Sequence, residues 1–175
     1  NHISGAVINQ KAVDKIMKYI EIGKEEGTLM AGGKRADTEN EGYYIEPTVF
    51  ADVDENARIA QEEIFGPVTA FIKAKDTDDA IRIANSVEYG LTGAYFSKNP
   101  KKIDKALREF RVGNLYINRK CTGALVGAQP FGGFKMSGTD AKAGGRDYLK
   151  YFLEPKSATL RPADGVDYDL ESFEF

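Results

Sequence analysis

Residues 91–118 read LTGAYFSKNPKKIDKALREFRVGNLYIN, in which two apolar runs flank a polar segment. The first run, LTGAYFS, and the last, VGNLYIN, are typical of strands. Asn99 and Pro100 open a short helix between them, because proline is favoured at the first position of a helix. A strand, a helix and a second strand at this spacing predict an α/β unit with parallel strands.

Toward the N-terminus the sequence predicts two further helices. The first covers Asn9 to Glu26, and Gly27 stands where it would end. The second begins at the cap and acids of residues 76–79 and continues through AIRIANSVEYG to Gly90. The apolar residues of the first helix recur at helical spacing: Val13, Ile16, Met17 and Ile20.

The sequence between these two helices predicts loops and strands. The polar stretch AGGKRADTENEG predicts a loop, and YYIEPTVF after it predicts a strand broken by Pro47. The compact apolar run VTAFIKA at 68–74 predicts a buried strand. The whole pattern favours an α/β fold with a largely parallel sheet and covering helices.

From Arg119 onward the sequence predicts loops and then an edge strand. Residues 119–147 contain seven glycines and little periodicity, and ordered loops of this length are usually functional. The next segment, YLKYFLEPKSATL at 148–160, alternates like a strand. A strand at this position would leave an unpaired edge that invites pairing with another chain. An acidic tail at 161–175 follows it.

The composition excludes several classes of protein. The chain has 175 residues, of which 42% are hydrophobic and 29% charged, as is usual for a protein with one apolar core. Its net charge is −3 with the two signs interleaved, so no basic surface for a nucleic acid is predicted. No apolar run is long enough to span a bilayer, and the first residues do not resemble a secretory signal. We therefore expect a cytoplasmic protein with no nucleic-acid partner and no membrane partner.

The single cysteine and the single histidine, Cys121 and His2, predict neither a disulfide nor a metal site. Arg119 and Lys120 precede Cys121 and would favour its thiolate, which is the nucleophilic form. A lone cysteine without a positioned base is more often a small buried apolar residue. We therefore predict no metal and no catalytic residue in this chain.

The glycines of residues 119–147 match neither of two common phosphate-binding motifs. No GKS or GKT follows a GxxxxG, and no GxGxxG follows a strand. A glycine-rich loop does let backbone N–H groups approach a ligand closely, which creates an anion-binding concavity.

Four motifs stand in order along the chain: QEEIFGPV at 61–68, EYGLTGAYFS at 88–97, VGNLYIN at 112–118 and QPFGGFKMSG at 129–138. Together they resemble the carboxy-terminal third of the aldehyde dehydrogenase superfamily, from about Gly5 to about Leu160. The segment from Asn118 to Phe152 resembles the Δ1-pyrroline-5-carboxylate dehydrogenase branch of that superfamily. The resemblance implies a fold of the aldehyde dehydrogenase catalytic-domain type.

The resemblance also implies a cofactor, NAD, and two residues that contact it. In the family, the second acid of EEIFGPV accepts hydrogen bonds from the nicotinamide ribose and the Phe contacts the nicotinamide ring, which implies Glu63 and Phe65 here. A carboxylate can accept two hydroxyl donors, and a ring face can hold the nicotinamide. Glu62 is left as a solvated or structural acid. Without the resemblance, Glu63 would be interpreted as a surface acid.

A substrate-binding loop is implied in the same way. The backbone amides of Gly144 and Gly145 would bind the carboxylate of the substrate, and Phe152 would pack on its aliphatic part. Fixed N–H dipoles suit an α-carboxylate. Phe131 of the PFGG motif is a further candidate for the substrate channel, or alternatively a core residue.

The implied activity is the NAD-dependent oxidation of L-glutamate γ-semialdehyde to L-glutamate in proline catabolism. The family's nucleophilic cysteine, general-base glutamate and nucleotide-binding domain precede the matched segment. We therefore expect this chain to be part of a longer enzyme and to be inactive alone. The alternative is a non-catalytic binding or assembly module derived from an aldehyde dehydrogenase.

The resemblance divides the chain into three parts. Residues 1–147 would form part of the catalytic domain, 148–160 an oligomerisation strand and 161–175 an acidic tail. The expected partners are the aldehyde substrate, the remainder of the parent enzyme and further copies of it. The expected compartment is the cytoplasm, or the mitochondrial matrix in a eukaryote.

Overall fold

The computed structural model describes residues 5–37, 42–139, 141–161 and 163–166. The helices in chain order are α1 (Gln10–Glu26), α2 (Arg58–Gln61), α3 (Thr77–Asn85) and α4 (Pro100–Glu109), followed by a 3-10 helix, Tyr148–Phe152. The strands are β1 (Thr28–Ala31), β2 (Thr48–Ala51), β3 (Val68–Ala70), β4 (Tyr89–Gly90), β5 (Thr92–Tyr95), β6 (Asn114–Ile117) and β7 (Phe134–Lys135). Within the described part of the chain, no helix is both long and apolar enough to cross a membrane.

The strands form three small sheets rather than the one largely parallel sheet that the sequence predicts. β2 pairs with β3, and β5 with β6, in parallel, whereas β1 pairs with β2, and β4 with β7, in antiparallel orientation. In each parallel pair the two strands are consecutive in the chain and a single helix, α2 or α4, connects them. Such crossovers bring the chain back in the same direction, whereas β1 and β2 are joined without a helix and β4 and β7 are not consecutive strands. The α/β class is therefore confirmed, and the sheet prediction is wrong.

The core lies between α1 and the sheet formed by β1, β2 and β3, which we call the first sheet. Asn9 caps α1 by accepting a hydrogen bond from the Ala12 N–H at 2.9 Å, as the cap preference predicts. The apolar stripe of α1 is buried through Val13, Ile16 and Ile20. Phe50 of β2 is fully buried against the same helix and completes this core.

The helices that flank the second half of the chain begin where their caps predict. Asp76 accepts from the Asp79 N–H at 2.9 Å at the start of α3, and Asn99 accepts from the Lys101 N–H at 3.0 Å at the start of α4. A cap side chain satisfies an N–H group that has no partner within the helix. The strands expected on either side of α4 are β5 and β6, so the unit from which the fold was inferred is confirmed.

α3 is shorter than the sequence predicts, because it ends at Asn85 and does not continue to Gly90. Residues 89–90 instead form β4, which pairs with β7. The ammonium group of Lys135 in β7 donates to the carbonyls of Asn85 and Val87 at 2.8 and 2.9 Å. This contact satisfies the carbonyl of the last residue of α3 and one in the turn that follows it.

The apolar run at 68–74 is not the buried strand that its composition predicts. β3 covers only Val68–Ala70, lies at the edge of the first sheet and is half-buried or exposed along its length. Phe71 directly after it is 59% exposed. A compact apolar run indicates burial on both faces only where both faces of the sheet are covered.

The strand predicted at 148–160 is not observed either. Its first residues, Tyr148–Phe152, form the 3-10 helix and not a strand. Residues 153–160 are exposed and have neither helix nor strand. That this segment mediates oligomerisation stays a prediction. Of the acidic tail, residues 162 and 167–175 lie outside the described residues, as does His2.

Replacing Gly23 by alanine should destabilise the protein, although alanine is favoured over glycine inside helices by about 1 kcal/mol. The new methyl carbon would lie 2.7 Å from the buried ring of Phe50, and overpacking of this kind costs about 1–3 kcal/mol. We expect a lower thermal unfolding midpoint. Glu25→Ala, on the exposed face of the same helix, is the control and should leave the midpoint nearly unchanged. A Gly23→Ala variant more stable than wild type would contradict the close helix-to-ring contact.

Candidate functional site

The EEIFGPV turn presents Phe65 to the outside. Ile64 is buried in the core, and the backbone at Gly66 lies so close to Ile16 that a Cβ there would be 2.6 Å from its Cδ1 atom. Phe65 between them has φ +57° and is 83% exposed. A non-glycine residue in this left-handed region costs about 1–2 kcal/mol, and such strain is found at functional sites.

Glu63 offers a free carboxylate on the same turn. Its side chain is exposed and makes no hydrogen bond to another described residue. Its backbone carbonyl accepts a hydrogen bond from Lys15 Nζ on α1 at 2.8 Å. The main chain is therefore held at Glu63 while the carboxylate remains available to a ligand.

Glu62, the neighbouring acid, is occupied within the protein. Its carboxylate accepts from Tyr19 Oη at 2.5 Å and from Arg58 Nε and Nη2, both at 2.9 Å. The hydrogen bonds from Arg58 and then from Tyr19 lower the pKa of Glu62 from 4.5 to about 2, because they stabilise the ionised form. The sequence left two roles open for Glu62, a solvated acid or a structural one. These contacts favour the structural role.

Two recesses border this turn. One, of about 370 Å³, is lined by the first two turns of α1 together with Ile64 and Phe65. The other, also of about 370 Å³, lies between α2 and the β4–β5 region, and both Glu63 and Ser137 line it. The structure thus places Glu63 and Phe65 on one exposed turn but against different recesses. Ser137 connects the second recess to the glycine-rich loops.

Phe131 lies next to the predicted substrate loop. Its N–H and carbonyl exchange two hydrogen bonds, both of 2.9 Å, with Ala143, which directly precedes Gly144. Asn114 of β6 donates to the carbonyl of Pro130 at 3.0 Å and accepts from the N–H of Gly132 at 3.1 Å. Phe131 is 37% exposed, so the alternative of a core residue does not hold for the described chain.

The two loop glycines differ in the availability of their N–H groups. Gly144 has φ +76°, and its N–H makes no hydrogen bond to any other residue that the structure describes. The N–H of Gly145 donates to the carbonyl of Lys142 at 2.9 Å and closes a turn. In this conformation Gly144 offers the free amide of the pair.

Phe152 reaches this region through Tyr148. The N–H of Tyr148 donates to the carbonyl of Gly145 at 3.1 Å, at the start of the 3-10 helix. The rings of Tyr148 and Phe152 meet edge to face with centroids 5.3 Å apart, a favourable aromatic geometry. Gly144, Gly145, Phe131 and Phe152 are therefore linked in one region of the protein.

Cys121 is exposed and unpaired, which corrects the expectation that it is a buried apolar residue. Its neighbour Arg119 lies over the ring of Tyr116, with the guanidinium carbon 5.1 Å from the ring centroid. Among the described residues, no group of three or more His, Cys, Asp or Glu side chains could hold a metal ion.

Several residues that shape the site have no signature in the sequence. Tyr19 and Lys15 on α1 contact the EEIFGPV turn from more than forty positions away. Lys142 contacts the backbone carbonyls of Gly113 and Gly132, which lie 29 and 10 positions before it. For Arg58 and Glu62 the sequence does contain a signal, because residues of opposite charge four positions apart can form an ion pair on a helix.

Comparison with known proteins identifies the class of protein. The profile of the aldehyde dehydrogenase family matches residues 1–158, and the chain belongs to that family. The 1-pyrroline-5-carboxylate dehydrogenase of Geobacillus sp. (strain WCH70) is 64% identical over 155 residues, which make up 89% of this chain and 30% of that protein. The protein of the same name from Bacillus subtilis (strain 168) is 60% identical over 155 residues, with the same two shares. The chain thus spans about 30% of the length of these curated relatives.

Solved structures are similar in fold. The crystal structure of 1-pyrroline-5-carboxylate dehydrogenase from Thermus with bound NAD has a TM-score of 0.83 and 57% identity, covering 86% of this chain and 29% of that one. Proline utilization A from Bdellovibrio bacteriovorus has a TM-score of 0.81 and 46% identity, covering 91% of this chain and 17% of that one. The aldehyde dehydrogenase type of fold is therefore confirmed.

The contribution of Glu62 to stability should depend on pH. Because its pKa is lower in the folded protein, about 2 against 4.5, its stabilising effect is present above about pH 4.5 and is lost as the pH falls toward 2. The difference in thermal unfolding midpoint between wild type and Glu62→Gln should therefore narrow over that interval. Glu25→Gln, whose side chain is exposed on α1, is the control. A difference that does not change with pH would show that the contacts with Arg58 and Tyr19 do not lower the pKa of Glu62.

Proposed function

We propose that this chain is the carboxy-terminal part of an NAD-dependent enzyme that oxidises L-glutamate γ-semialdehyde to L-glutamate in proline catabolism. The observation that carries the proposal is the EEIFGPV turn, where a free carboxylate and an exposed ring stand on a main chain fixed by α1. High identity to proteins named 1-pyrroline-5-carboxylate dehydrogenase supports the substrate. Catalysis would require the remainder of the parent polypeptide, in a cytoplasmic homo-oligomer.

The exposed residues of the turn fit NAD. Glu63 can accept hydrogen bonds from two ribose hydroxyls, because neither carboxylate oxygen is used by another described residue. Phe65 is 83% exposed and offers a ring face to a planar group. When bound, NAD would supply the acceptor for the hydride that leaves the substrate. The role of this chain would be to hold the ribose and to limit the positions of the ring.

The loop around Gly144 fits a carboxylate. A free backbone N–H at a left-handed residue is a fixed positive dipole, which binds an anion without the entropy cost of ordering a long side chain. Phe131 and Phe152 border the loop and would contact the aliphatic part of the substrate. Gly145 would contribute its amide only if the hydrogen bond to Lys142 opened.

In the full-length enzyme, Glu63→Gln should weaken the binding of NAD by about 1–3 kcal/mol, the usual cost of losing a hydrogen bond to a charged group. The dissociation constant of NAD, measured by calorimetry, and the turnover of L-glutamate γ-semialdehyde test this expectation. Glu25→Gln is the control, since Glu25 is exposed on α1 away from the turn. Unchanged NAD affinity and unchanged turnover would remove Glu63 from the cofactor site.

Gly144→Ala should raise the KM for L-glutamate γ-semialdehyde but not for propanal, which has no carboxylate. The substitution strains a residue at φ +76°, so we expect the backbone that carries the amide to shift, and the added methyl, 3.2 Å from Val126 Cγ1, also requires a small adjustment of that contact. Gly123→Ala is a matched control, because Gly123 has φ +78° with nothing within 4 Å of the added carbon. Both changes should lower stability by a similar amount. An equal rise in KM for the two variants would contradict a carboxylate contact at Gly144.

A further inference from the structure

The side chain of Lys142 joins several segments of the glycine-rich loops. Its ammonium group donates to the carbonyl of Gly113, just before β6, at 2.9 Å and to the carbonyl of Gly132, in the PFGG motif, at 2.5 Å. It also lies 4.9 Å from the ring centroid of Phe134 in β7. The charge of one lysine is therefore shared by a carbonyl before β6 and by a carbonyl and a ring of the segment 132–134.

The backbone segments around Lys142 are in close contact. A Cβ at Gly113 would lie 1.8 Å from the carbonyl oxygen of Gly132, and a Cβ at Gly132 would lie 2.3 Å from that of Ala141. The carbonyl oxygens of Gly113 and Gly132 accept from the same ammonium group, and without it two such neighbouring oxygens would repel one another, because each carries partial negative charge. A cation between them converts this repulsion into charge-assisted hydrogen bonds.

Lys142 also defines the turn that contains Gly144. Its carbonyl accepts the N–H of Gly145 at 2.9 Å, so its main chain closes the turn while its side chain anchors the turn to β6 and PFGG. The two hydrogen bonds between Phe131 and Ala143 hold the adjacent residue. The direction of the Gly144 N–H is consequently determined by contacts on the N-terminal side of the turn.

We propose that Lys142 is a positioning residue that orients the Gly144 amide and so determines selectivity for aldehydes that carry a carboxylate. The proposal rests on the proposed function, because it assigns a cause to the geometry of that substrate loop. Lys142 would not contact the substrate. It would act by holding the backbone that carries the Gly144 amide. A lysine that only stabilises the fold would affect all substrates alike.

The test compares substrates in the full-length enzyme with Lys142→Met, which keeps an unbranched side chain that lacks only the terminal ammonium position and so removes its charge and donors. The ratio of kcat/KM for L-glutamate γ-semialdehyde to kcat/KM for propanal should fall by about tenfold or more, as the loss of hydrogen bonds to a charged group predicts. The KM for NAD should not change. Calorimetric binding of L-glutamate, which carries the same carboxylate, should weaken by a similar factor, and this readout does not depend on turnover.

Two further variants complete the design. Lys120→Met removes an exposed lysine of the same loop region and should leave the ratio unchanged. Lys142→Arg keeps the charge in a planar group that cannot reproduce the geometry of an ammonium, and it should lower the ratio to a lesser degree. If Lys142→Met does not fold, the ratio of kcat/KM for the two aldehydes in Lys142→Arg decides whether the positioning role holds.

The outcomes separate this proposal from the proposed function. A wild-type enzyme that does not oxidise L-glutamate γ-semialdehyde would overturn the proposed function. A wild-type enzyme that does so, with an unchanged ratio in the Lys142 variants or an equal loss for both aldehydes, would overturn the positioning role alone.

Discussion

The contact between the backbone at Gly66 and the buried side chain of Ile16 determines the arrangement of the candidate cofactor site. Ile16 is fully buried in α1, so the chain at Gly66 can approach it only without a side chain of its own. With Ile64 inserted on one side and Gly66 pressed against α1 on the other, Phe65 is turned outward. The packing of the core thus produces an exposed aromatic ring, and the strain at Phe65 is sustained by the burial of Ile64 before it and by the close contact between the Gly66 backbone and Ile16 after it.

The two adjacent acids of the turn show how position divides residues of identical chemistry between structure and function. Glu62 is paired with Tyr19 and Arg58, and these contacts tie the turn to α1 and α2. Glu63 uses only its backbone carbonyl in the fold. One carboxylate supports the main chain so that the other can be presented in a defined place, since a ligand-binding group is effective only when its neighbours hold it in position.

Local signals in the sequence predict where the helices begin, but they do not predict contacts between residues that are far apart in the chain. The cap residues Asn9, Asp76 and Asn99 mark where helices begin, because capping involves only the next few residues. The end of α3 was missed because Lys135, about fifty positions away, takes part in ending it. Alternation at 148–160 suggested a strand, but a strand needs a partner along its edge and the described chain provides none. The site residues Glu63 and Phe65 came from a family resemblance, and their support by Lys15 and Tyr19 could not be read from spacing.

The glycine-rich loops derive their shape from packed backbone and one cation rather than from regular secondary structure. Gly113 and Gly132 are needed because their segments meet at a distance that excludes any side chain, and neither has the positive φ that marks Gly144. Glycine richness in the sequence therefore has two physical causes here, close packing and left-handed geometry. Gly123, Gly127 and Gly144 have the second geometry, and none of their N–H groups donates a hydrogen bond to another residue that the structure describes. Of these three glycines, Gly144 is the one whose neighbours, Ala143 and Gly145, hydrogen-bond to Phe131 and Tyr148. The proposed carboxylate contact is placed there for this reason, and its direction depends on the contacts that hold the adjacent turn.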